Sequence, residues 1–447
     1  MVGEWPLKTI AECASADPYS TQIGPFGKAL MAADYTESGV PVLRGVNVNR
    51  GRFHDDDFVF IDMATADRLT KFESFPGDVL LVHKGTLGQI GLMPDVRKYP
   101  RYIMGNSMMR VRCDPTKLLP EYLYYWLSSN DGQHYLFSRV SQVGVPQIQT
   151  PLTTLRQAEL PVPPLLEQRA ITHILGTLDD KIELNQRMNE TLEAIASAIF
   201  KSWFVDFDPV RAKAEGRNTG LPQPLAKIFP DSFENSELRE IPRGWEVVRF
   251  ADTIEIIGGG TPKTSIPEYW DGDIPWFSVV DAPSDSEVWV LDTEKKVTRA
   301  GVENSSTRVL PVGTTIISAR GTVGRLALVG VPMAMNQSCY GLRGRTGGRG
   351  FFNYYSTRDL VARLQQHAHG SVFDTITRDT LAGVKVVVPP GELVELFERE
   401  VGPCLDRIRA GLLDARTLAA LRNALLPKLI SGELRVEEPA RFLGDGD

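Results

Sequence analysis

One long segment occurs twice in this chain, and this internal repeat constrains the fold more than any other feature of the sequence. The landmarks shared by the two copies are Trp5 and Trp245, Lys84-Gly-Thr-Leu-Gly and Arg320-Gly-Thr-Val-Gly, and the proline pairs 163–164 and 389–390. The offset between the copies falls from 240 at the tryptophans, through 236 at the glycine motifs, to 226 at the proline pairs. A drifting offset predicts a duplicated domain with loop insertions, because a solenoid keeps a fixed period of roughly 20–50 residues.

The length and composition are typical of a globular protein with two or three domains. The chain has 447 residues, of which 42% are hydrophobic and 23% are charged, and a typical domain has about 150 residues. No apolar run approaches the ~18 residues that a membrane span needs, and the N-terminus lacks a signal-peptide pattern, so we expect a cytoplasmic protein. The four cysteines are widely spaced and predict neither a disulfide framework nor a metal site.

Residues 1–164 and 244–390 are predicted to be two α+β domains. In each, short runs rich in apolar and β-branched residues are bounded by turn residues, and no regular βαβ rhythm is present. Strands are predicted at residues 41–48, 78–83, 107–112, 273–280 and 314–319. Shorter helices are predicted at residues 120–129, with Pro120 in the first turn, and at residues 354–366.

The segments that follow the two proline pairs are predicted to be long helices, at residues 165–202 and 391–430. In the first, apolar residues recur at alternating spacings of four and three, which is the a/d pattern of a coiled-coil seam. A helix from Leu165 to Phe200 is roughly 54 Å long at ~1.5 Å per residue. The second seam is weaker, since Gly411 and Arg422 occupy two of its positions. We expect the two helices to pair as an antiparallel coiled coil.

The residues that define these seams are Ile171, Leu178, Ile182, Asn185, Asn189 and Leu192 in the first helix, and Ile408, Leu418 and Leu425 in the second. Polar residues on a seam fix its register at a cost in stability, which is the first interpretation of Asn185 and Asn189. The alternative is that both asparagines contact a partner protein. Residues 203–243 are predicted to be a linker, and residues 431–447 a frayed tail.

The sequence offers no convincing catalytic motif. Gly258-Gly-Gly-Thr-Pro-Lys-Thr resembles a phosphate-binding P-loop, but a proline precedes Lys263 and no suitable strand and helix flank the segment. Asp17-Pro-Tyr lacks the second proline of a methyltransferase catalytic loop. We therefore expect catalysis to come from other chains, and we expect neither a metal nor a cofactor to bind here.

The recurring Gly-Thr motif is the strongest nucleic-acid signal, because a cation stands directly before it in both copies. We expect its glycines to form a tight turn that presents this cation to a DNA phosphate. A purely structural turn is the alternative. The DNA-binding residues predicted at the two turns are Lys84, Gly85, Thr86, Arg320, Gly321 and Thr322.

Two basic segments are further candidates for DNA contact. The first contains Arg97, Lys98, Arg101, Arg110 and Arg112 together with Tyr99 and Tyr102, and the second is a glycine-rich loop, predicted to be flexible, with Arg343, Arg345 and Arg349. The planar arginine fork matches phosphates and the edge of guanine. A solvated basic surface is the alternative, and the net charge of −7 argues mildly against a protein that simply coats DNA.

Four segments of the chain resemble one known family. Three of them are similar to the central region of type I restriction–modification specificity (S) subunits, namely Pro163-Pro-Leu-Leu-Glu-Gln-Arg-Ala-Ile, Leu178-Asp-Asp-Lys-Ile-Glu-Leu-Asn-Gln and Ala198-Ile-Phe-Lys-Ser-Trp-Phe-Val-Asp-Phe-Asp-Pro-Val. The fourth, Leu425-Leu-Pro-Lys-Leu-Ile-Ser-Gly-Glu-Leu-Arg-Val, resembles the matching C-terminal region. The resemblance is specific in the helical regions and looser in the domains between them.

The resemblance implies a non-catalytic DNA-reading subunit with two target-recognition domains in inverted orientation. Each domain would read one half of a split, asymmetric site in double-stranded DNA, with the paired helices as a ruler for the spacer. Two modification subunits would dock on the helical regions and bring S-adenosylmethionine for N6-adenine methylation of a flipped base. Restriction subunits would add translocation and cleavage that depend on ATP and Mg²⁺.

Glu167 and Gln168 are the residues that the resemblance places at the docking surface. The second helix shows no counterpart of this pair, so the two docking surfaces are not expected to be symmetric. Three other interpretations stay open: a coiled-coil scaffold whose domains bind proteins, a specificity subunit of another multi-subunit restriction–modification type, and a self-contained methyltransferase or nuclease.

Overall fold

The structure, a computed structural model, describes residues 5–51, 53–141, 144–346, 348–367 and 375–442. The chain divides into two compact units: unit 1 is Met1–Lys181 with Thr417–Asp447, and unit 2 is Ile182–Arg416. Both division points lie inside long helices, whereas the predicted domain boundaries lie at the helix starts. The difference arises because each end of a long helix packs into the core of a unit.

Unit 1 is an α+β assembly with two four-stranded sheets. Its strands are β1 (Leu7–Thr9), β2 (Thr21–Ile23), β3 (Tyr35–Thr36), β4 (Val40–Leu43), β5 (Val59–Ile61), β6 (Val79–Val82), β7 (Ile90–Leu92), β8 (Ile103–Met104), β9 (Met108–Val111), β10 (Val140–Ser141), β11 (Gln147–Ile148) and β12 (Glu159–Pro161). Its helices are α1 (Ile10–Cys13), α2 (Met63–Arg68), α3 (Pro120–Ser128), α4 (Asn130–Phe137), α5 (Pro151–Arg156), the start of α6 (Leu165–Phe200) and the end of α13 (Gly391–Ser431). The sheet orders are β2-β9-β6-β7 and β3-β5-β4-β8.

Strand β6 lies between two hydrophobic cores. Its four residues are all buried, and successive side chains of a strand point to opposite faces. Val79 and Leu81 pack into a core with α3, while Leu80 and Val82 pack into a second core with β4 and β8. A strand buried on both faces reads as a continuous apolar run, which is why the sequence predicts it correctly.

Unit 2 repeats the architecture of unit 1 with additional pieces. Its strands are β13 (Phe233–Asn235), β14 (Glu240–Pro242), β15 (Glu246–Arg249), β16 (Ile254–Gly258), β17 (Trp270–Phe277), β18 (Trp289–Val290), β19 (Lys296–Val297), β20 (Thr315–Ser318), β21 (Leu326–Val329), β22 (Ala334–Met335), β23 (Cys339–Gly344) and β24 (Lys385–Val388). Its helices are the end of α6, α7 (Asp208–Ala214), α8 (Gln223–Ala226), α9 (Phe250–Thr253), α10 (Arg299–Glu303), α11 (Phe351–His367), α12 (Arg378–Gly383) and most of α13 (Gly391–Ser431).

The strand pairings confirm the duplication. The order β2-β9-β6-β7 of unit 1 corresponds to β16-β23-β20-β21 in unit 2, where β18 extends the sheet by one strand. The parallel pair β4–β8 corresponds to the parallel pair β17–β22. The antiparallel pair β1–β12, which precedes α6, corresponds to β15–β24, which precedes α13.

The strand predicted at residues 41–48 is only half correct. Strand β4 ends at Leu43, and a 3-10 helix follows at Gly45–Gly51. Asn47 is buried and accepts a hydrogen bond from Arg44 N at 2.8 Å, which turns the chain at this point. In unit 2 the carboxylate of Asp281 accepts from Ser278 N at 2.8 Å in the corresponding turn.

The long helices begin and end almost where the sequence places them, and they run antiparallel in each unit. In unit 1, Arg422 of α13 donates to Asp179 of α6 at 2.6 Å, and Ile171 and Leu175 pack in the same core as Leu429. In unit 2, Phe200 stacks edge-on against Phe397 with ring centroids 5.7 Å apart. The seam residues Ile171, Ile182, Asn185, Asn189 and Ile408 are buried, and Leu178, Leu192, Leu418 and Leu425 are half-buried.

The segment 203–243 is not a linker but part of the core of unit 2. It contains α7, α8 and the hairpin β13–β14. Trp203, Phe204, Phe207, Phe229 and Ile241 are all at most 8% exposed and belong to one hydrophobic cluster. The burial of so many large apolar side chains fixes this segment in place.

The predicted tail is also ordered for part of its length. Arg435 lies over the ring of Trp5, 4.2 Å from its centroid, and Val436 packs against the core of unit 1. Residues 443–447 of this tail lie outside the described residues. In the part of the chain that is described, no helix is long and apolar enough to cross a membrane.

Candidate nucleic-acid interface

The turn after β6 has the geometry that the Gly-Thr motif predicts. Gly85 and Gly88 have φ values of +91° and +81°, in the left-handed region that only glycine adopts without strain. Gly85 N donates to Pro146 O at 2.9 Å, and the backbone of Lys84 bridges that of Gln147. Lys84, Gly85 and Thr86 are exposed, and Lys84 forms no ion pair with any described residue.

The turn after β20 repeats this arrangement. Gly321 and Gly324 have φ values of +78° and +86°. The backbone of Arg320 bridges Thr375, and Ile376 N donates to Ala319 O at 2.9 Å. Arg320, Gly321 and Thr322 are exposed, and Arg320 also forms no ion pair within the described ranges. The predicted turn is confirmed in both copies, while the phosphate contact remains a prediction.

A second loop lies beside each Gly-Thr turn, and sequence reasoning missed it. In unit 1 it is the β-turn between β8 and β9, closed by Met108 N donating to Gly105 O at 3.1 Å. His83 N donates to Ser107 O at 2.9 Å, so this turn adjoins Lys84 directly. Its other central residue, Asn106, is exposed.

Unit 2 has the same turn between β22 and β23. Cys339 N donates to Asn336 O at 3.3 Å, and Ala319 N donates to Ser338 O at 2.8 Å. The exposed central residue is Gln337. Asn106 and Gln337 therefore occupy equivalent positions beside equivalent cations.

A third loop completes the site in each unit, and a glycine allows its close approach. A Cβ added at Gly24 would stand 1.8 Å from Gly105 O, and one added at Gly259 would stand 1.9 Å from Asn336 O. Both positions therefore require glycine. Lys28 and Lys263 each follow four residues later and are exposed. The segment that resembled a P-loop is thus the second copy of this loop, and the shared Gly-x-x-x-Lys spacing is the signal that would have revealed it.

Most of the first basic segment is committed to internal ion pairs, which corrects its prediction as a DNA-binding cluster. Arg101 donates through Nε and Nη2 to Glu73 at 3.0 Å each and pairs with Asp67 at 2.7 Å. These pairs raise the pKa of Arg101, chiefly through its hydrogen bonds to Glu73 and then Asp67. A guanidinium held by two carboxylates is a poor phosphate ligand, so Arg101 is a structural residue.

Arg110 and Arg112 are also structural. Arg110 is 2% exposed, and burial lowers its pKa to about 10 despite the nearby Asp78. Arg112 donates through Nε to the buried carboxylate of Asp78 at 2.8 Å. The Arg110 side chain points from β9 into the interior, and that of Arg112, just after the strand, is held against the buried Asp78, which a basic composition alone does not reveal.

Arg97 and Lys98 remain at the surface of the same segment. Lys98 Nζ donates to Asp55 O at 2.6 Å, and the Arg97 guanidinium lies 5.9 Å from the centroid of Tyr102. Tyr102 donates to Asp55 Oδ1 at 2.6 Å, and burial, followed by this hydrogen bond, raises the pKa of its hydroxyl. These contacts hold the segment in place and leave Arg97 half-exposed.

The arginines of the second basic segment do not share one flexible loop. Arg343 is exposed on strand β23, opposite Glu255. Arg345 is exposed just after the strand, and its N donates to Thr253 O at 2.9 Å. Arg349 pairs with Asp406 and lies over the ring of Phe351 at 4.6 Å. Arg343 and Arg345 therefore stay candidates for DNA contact, whereas Arg349 fastens α11 to α13.

Gln168 is fully buried, so it is not a residue of an exposed docking surface. Its Oε1 accepts from Leu119 N at 2.8 Å, and its Nε2 donates to Lys117 O and Pro163 O at 3.0 and 2.9 Å. It thereby satisfies backbone groups at the start of α3. Its neighbour Glu167 pairs with Arg435 at 3.2 Å.

The second long helix does have a counterpart of Gln168, although the sequence offset hides it. The buried Glu398 of α13 accepts from Arg349 N at 2.9 Å and from Phe352 N at 3.3 Å, at the start of α11. An offset of 226 points to residue 394, so the equivalent contact is made one helical turn later. In each unit the α+β domain is therefore fastened to its long helix by related contacts.

Comparison with known proteins identifies relatives of both copies of the repeat. The sequence model of the family described as "Type I restriction modification DNA specificity domain" matches residues 27–194 and 242–393. The Type I restriction enzyme HindI specificity subunit of Haemophilus influenzae is 28% identical over 379 residues, which cover 74% of this chain and 81% of that protein. The MjaIX specificity subunit of Methanocaldococcus jannaschii is 25% identical over 378 residues, covering 81% and 79%.

The fold is also that of a solved structure. The S subunit of a type I restriction–modification system from M. genitalium superimposes with a TM-score of 0.56 at 15% identity, covering 95% of this chain and 96% of that one. The family match spans most of the sequence and falls once in each copy of the repeat. This chain therefore belongs to the family of type I restriction–modification DNA specificity proteins.

Proposed function

We propose that this chain is the DNA-specificity subunit of a type I restriction–modification complex, with one target-recognition domain in each unit. The observation that carries the proposal is that both copies hold an exposed cation on the same glycine turn, and neither cation forms an ion pair with a described residue. Lys84 and Arg320 each follow a buried strand and precede a left-handed glycine. Cations held in this way suit the regularly spaced phosphates of double-stranded DNA.

Each domain is proposed to read one half of a split and asymmetric site. Three loops meet in each unit, and their glycine framework recurs while the exposed side chains differ. The exposed residues Asn106 and Phe26 in unit 1 stand where the exposed residues Gln337 and Thr261 stand in unit 2. Two domains that share a loop backbone but expose different side chains suit a site whose two halves have different sequences.

Catalysis and cofactors are proposed to reside on partner chains. The curated relatives are named as specificity subunits of restriction enzymes, a role that assigns target choice to this chain. Modification subunits would bind S-adenosylmethionine and methylate adenine at N6, on a base taken out of the stack. Restriction subunits would bind ATP and Mg²⁺. The paired helices α6 and α13 would provide the docking surface and set the spacer.

The net charge of −7 is compatible with this role. The cations that face the proposed DNA surface are few and local, namely Lys28, Lys84, Lys263 and Arg320, with Arg97, Arg343 and Arg345 as further candidates. A small number of phosphate contacts gives a modest dependence of affinity on salt. The modification subunits would supply the remaining phosphate contacts.

The proposal is tested by sequencing methylated DNA from cells that lack other adenine methylation. The modification subunits are expressed with this chain, without it, and with a variant that carries both Lys84→Ala and Arg320→Ala. We expect one split motif to be methylated when the wild-type chain is present, and its methylation to be strongly reduced with the double variant. Methylation of the same motif without this chain would disprove the proposal.

A further inference from the structure

Two equivalent β-turns present a carboxamide at the edge of the recognition loops. Asn106 is the second residue of the turn closed by Met108 N and Gly105 O, and Gln337 is the second residue of the turn closed by Cys339 N and Asn336 O. Both residues are exposed. A carboxamide carries a hydrogen-bond donor and an acceptor side by side, which is the pattern that a base edge presents in complementary form.

Each carboxamide is flanked by cations on two neighbouring loops. The hydrogen bonds from His83 N to Ser107 O and from Ala319 N to Ser338 O place the turns next to Lys84 and Arg320. On the other side, the close approach of Gly24 to Gly105, and of Gly259 to Asn336, brings in the loops of Lys28 and Lys263. The turn that carries the carboxamide therefore adjoins two loops, each of which carries an exposed cation.

The two copies can be compared position by position, because they share one frame. Phosphates are alike at every sequence, so the contacts to them are expected to recur in both copies, whereas contacts to bases are expected to differ. The recurring exposed positions are Lys28 and Lys263, Lys84 and Arg320, and Thr86 and Thr322. The turn position occupied by Asn106 and Gln337 keeps its chemical group but changes its reach by one methylene.

The surroundings of the two carboxamides also differ. Gln337 Oε1 accepts a hydrogen bond from Thr261 Oγ1, which orients the amide and leaves Nε2 and one lone pair of the oxygen available. In unit 1 the position of Thr261 is taken by Phe26, which is 57% exposed and has its ring 6.5 Å from that of His83. The Asn106 carboxamide has no hydrogen-bond partner among the described residues, so both its groups are available.

We propose that Asn106 and Gln337 are base-reading residues, one in each target-recognition domain, and that each carboxamide makes paired hydrogen bonds to an adenine in its half-site. Adenine offers an acceptor at N7 and a donor at N6 in the major groove, and asparagine and glutamine match this pair. The inference rests on the proposed function and adds to it the residues that choose the base.

The test is selection from a randomised duplex library by the full chain together with its modification subunits. Wild type, Asn106→Ala, Gln337→Ala and the length exchange Asn106→Gln are compared at one salt concentration. Gln223→Ala removes an exposed carboxamide from α8, which lies outside the recognition loops and the paired helices, and serves as the matched control. Unfolding temperatures are measured for every variant, and both target positions are exposed, so the substitutions are not expected to alter the fold.

We expect Asn106→Ala to relax the preference for adenine at one position of one half-site by roughly tenfold or more. Gln337→Ala should do the same in the other half-site, and neither should change the salt dependence of binding. The exchange Asn106→Gln should alter the preference within the half-site read by unit 1 only. A split motif retained in full by both alanine variants would overturn the inference and leave the proposed function intact. No enriched motif with the wild-type complex would instead overturn the proposed function.

Discussion

Gly411 of α13 lies directly against the carboxamide of Asn189 of α6, so that a Cβ added to the glycine would stand 2.8 Å from Asn189 Oδ1. Asn189 is 2% exposed. The glycine that weakens the seam in the sequence is therefore the residue that makes room for a buried polar side chain. The interpretation of Asn189 as a residue that sets register gains a physical basis, because only one alignment of the helices provides this space.

This contact gives a prediction that separates crowding from helix propensity. Gly411→Ala should destabilise unit 2 by about 1 kcal/mol, since overpacking costs about 1–3 kcal/mol and exceeds the gain of up to about 1 kcal/mol from replacing glycine in a helix. In an Asn189→Ala background the same change should stabilise by up to about 1 kcal/mol. Urea unfolding of the wild type, the two single variants and the double variant gives the coupling free energy between the two positions. Equal effects of Gly411→Ala in both backgrounds would show that the contact with Asn189 does not cause the loss of stability.

Gln168 is expected to stabilise unit 1 through its hydrogen bonds to backbone groups. Gln168→Leu leaves the backbone groups Leu119 N, Lys117 O and Pro163 O without their partner, and an unsatisfied buried polar group costs about 1–3 kcal/mol. We expect a loss of at least about 2 kcal/mol in the free energy of unfolding. Gln186→Leu, at an exposed position of the same helix, is the control and should change stability by less than about 0.5 kcal/mol. Similar effects of the two substitutions would refute the role given to Gln168.

Substitution of Lys84 is expected to affect DNA binding, whereas substitution of Arg101 is expected to affect stability. Lys84→Ala should weaken DNA binding by a similar factor at all sequences and reduce the salt slope by about one, as for the loss of one phosphate contact. Arg101→Ala should leave the salt slope unchanged and lower stability by roughly 1–2 kcal/mol, because Glu73 loses its partner. Affinities at several salt concentrations distinguish the two, with Lys227→Ala, at an exposed position outside the proposed DNA surface and the paired helices, as a control of equal charge change. A smaller slope for Arg101→Ala would reinstate it as a DNA ligand.

His83 is expected to make unit 1 sensitive to acid. Burial lowers its pKa below the usual value, an effect partly offset by its hydrogen bond with the backbone of Asn106. The unfolded chain then binds the proton more readily, so stability falls as pH drops below about 6.5, by at most about 1.4 kcal/mol per pH unit. His83→Gln should reduce the difference in unfolding temperature between pH 7.5 and pH 5.5. An unchanged difference would show that His83 does not titrate in this range.

Local sequence patterns are sufficient to predict the long helices and the glycine turns. Helix α6 begins at Leu165 as predicted and ends at Phe200, two residues before the predicted end, because a heptad pattern and a proline boundary act along the chain itself. The positive φ values at Gly85 and Gly321 follow from the Gly-Thr motif in the same way. The duplication strengthens both predictions, because the helix pattern and the Gly-Thr motif each occur in both copies of the repeat.

The remaining features depend on contacts distant in sequence. Whether an arginine is free or paired depends on carboxylates such as Glu73 and Asp78, which lie 28 and 34 residues from Arg101 and Arg112. The sequence predicts a linker for the aromatic segment after α6 because the partners of its rings, among them Trp245, come later in the chain. The loops of Gly24 and Gly259 show their role only in the fold, where each touches the turn that carries a carboxamide.

We propose above that this chain selects a DNA site with two separate halves, one for each recognition domain. The most direct measurement is the sequence of the DNA that the wild-type chain, with its modification subunits, retains from a randomised duplex library at physiological salt. We expect two short half-sites of different sequence, separated by a fixed number of unspecified base pairs. A single uninterrupted motif, or retention without any preferred sequence, would contradict it.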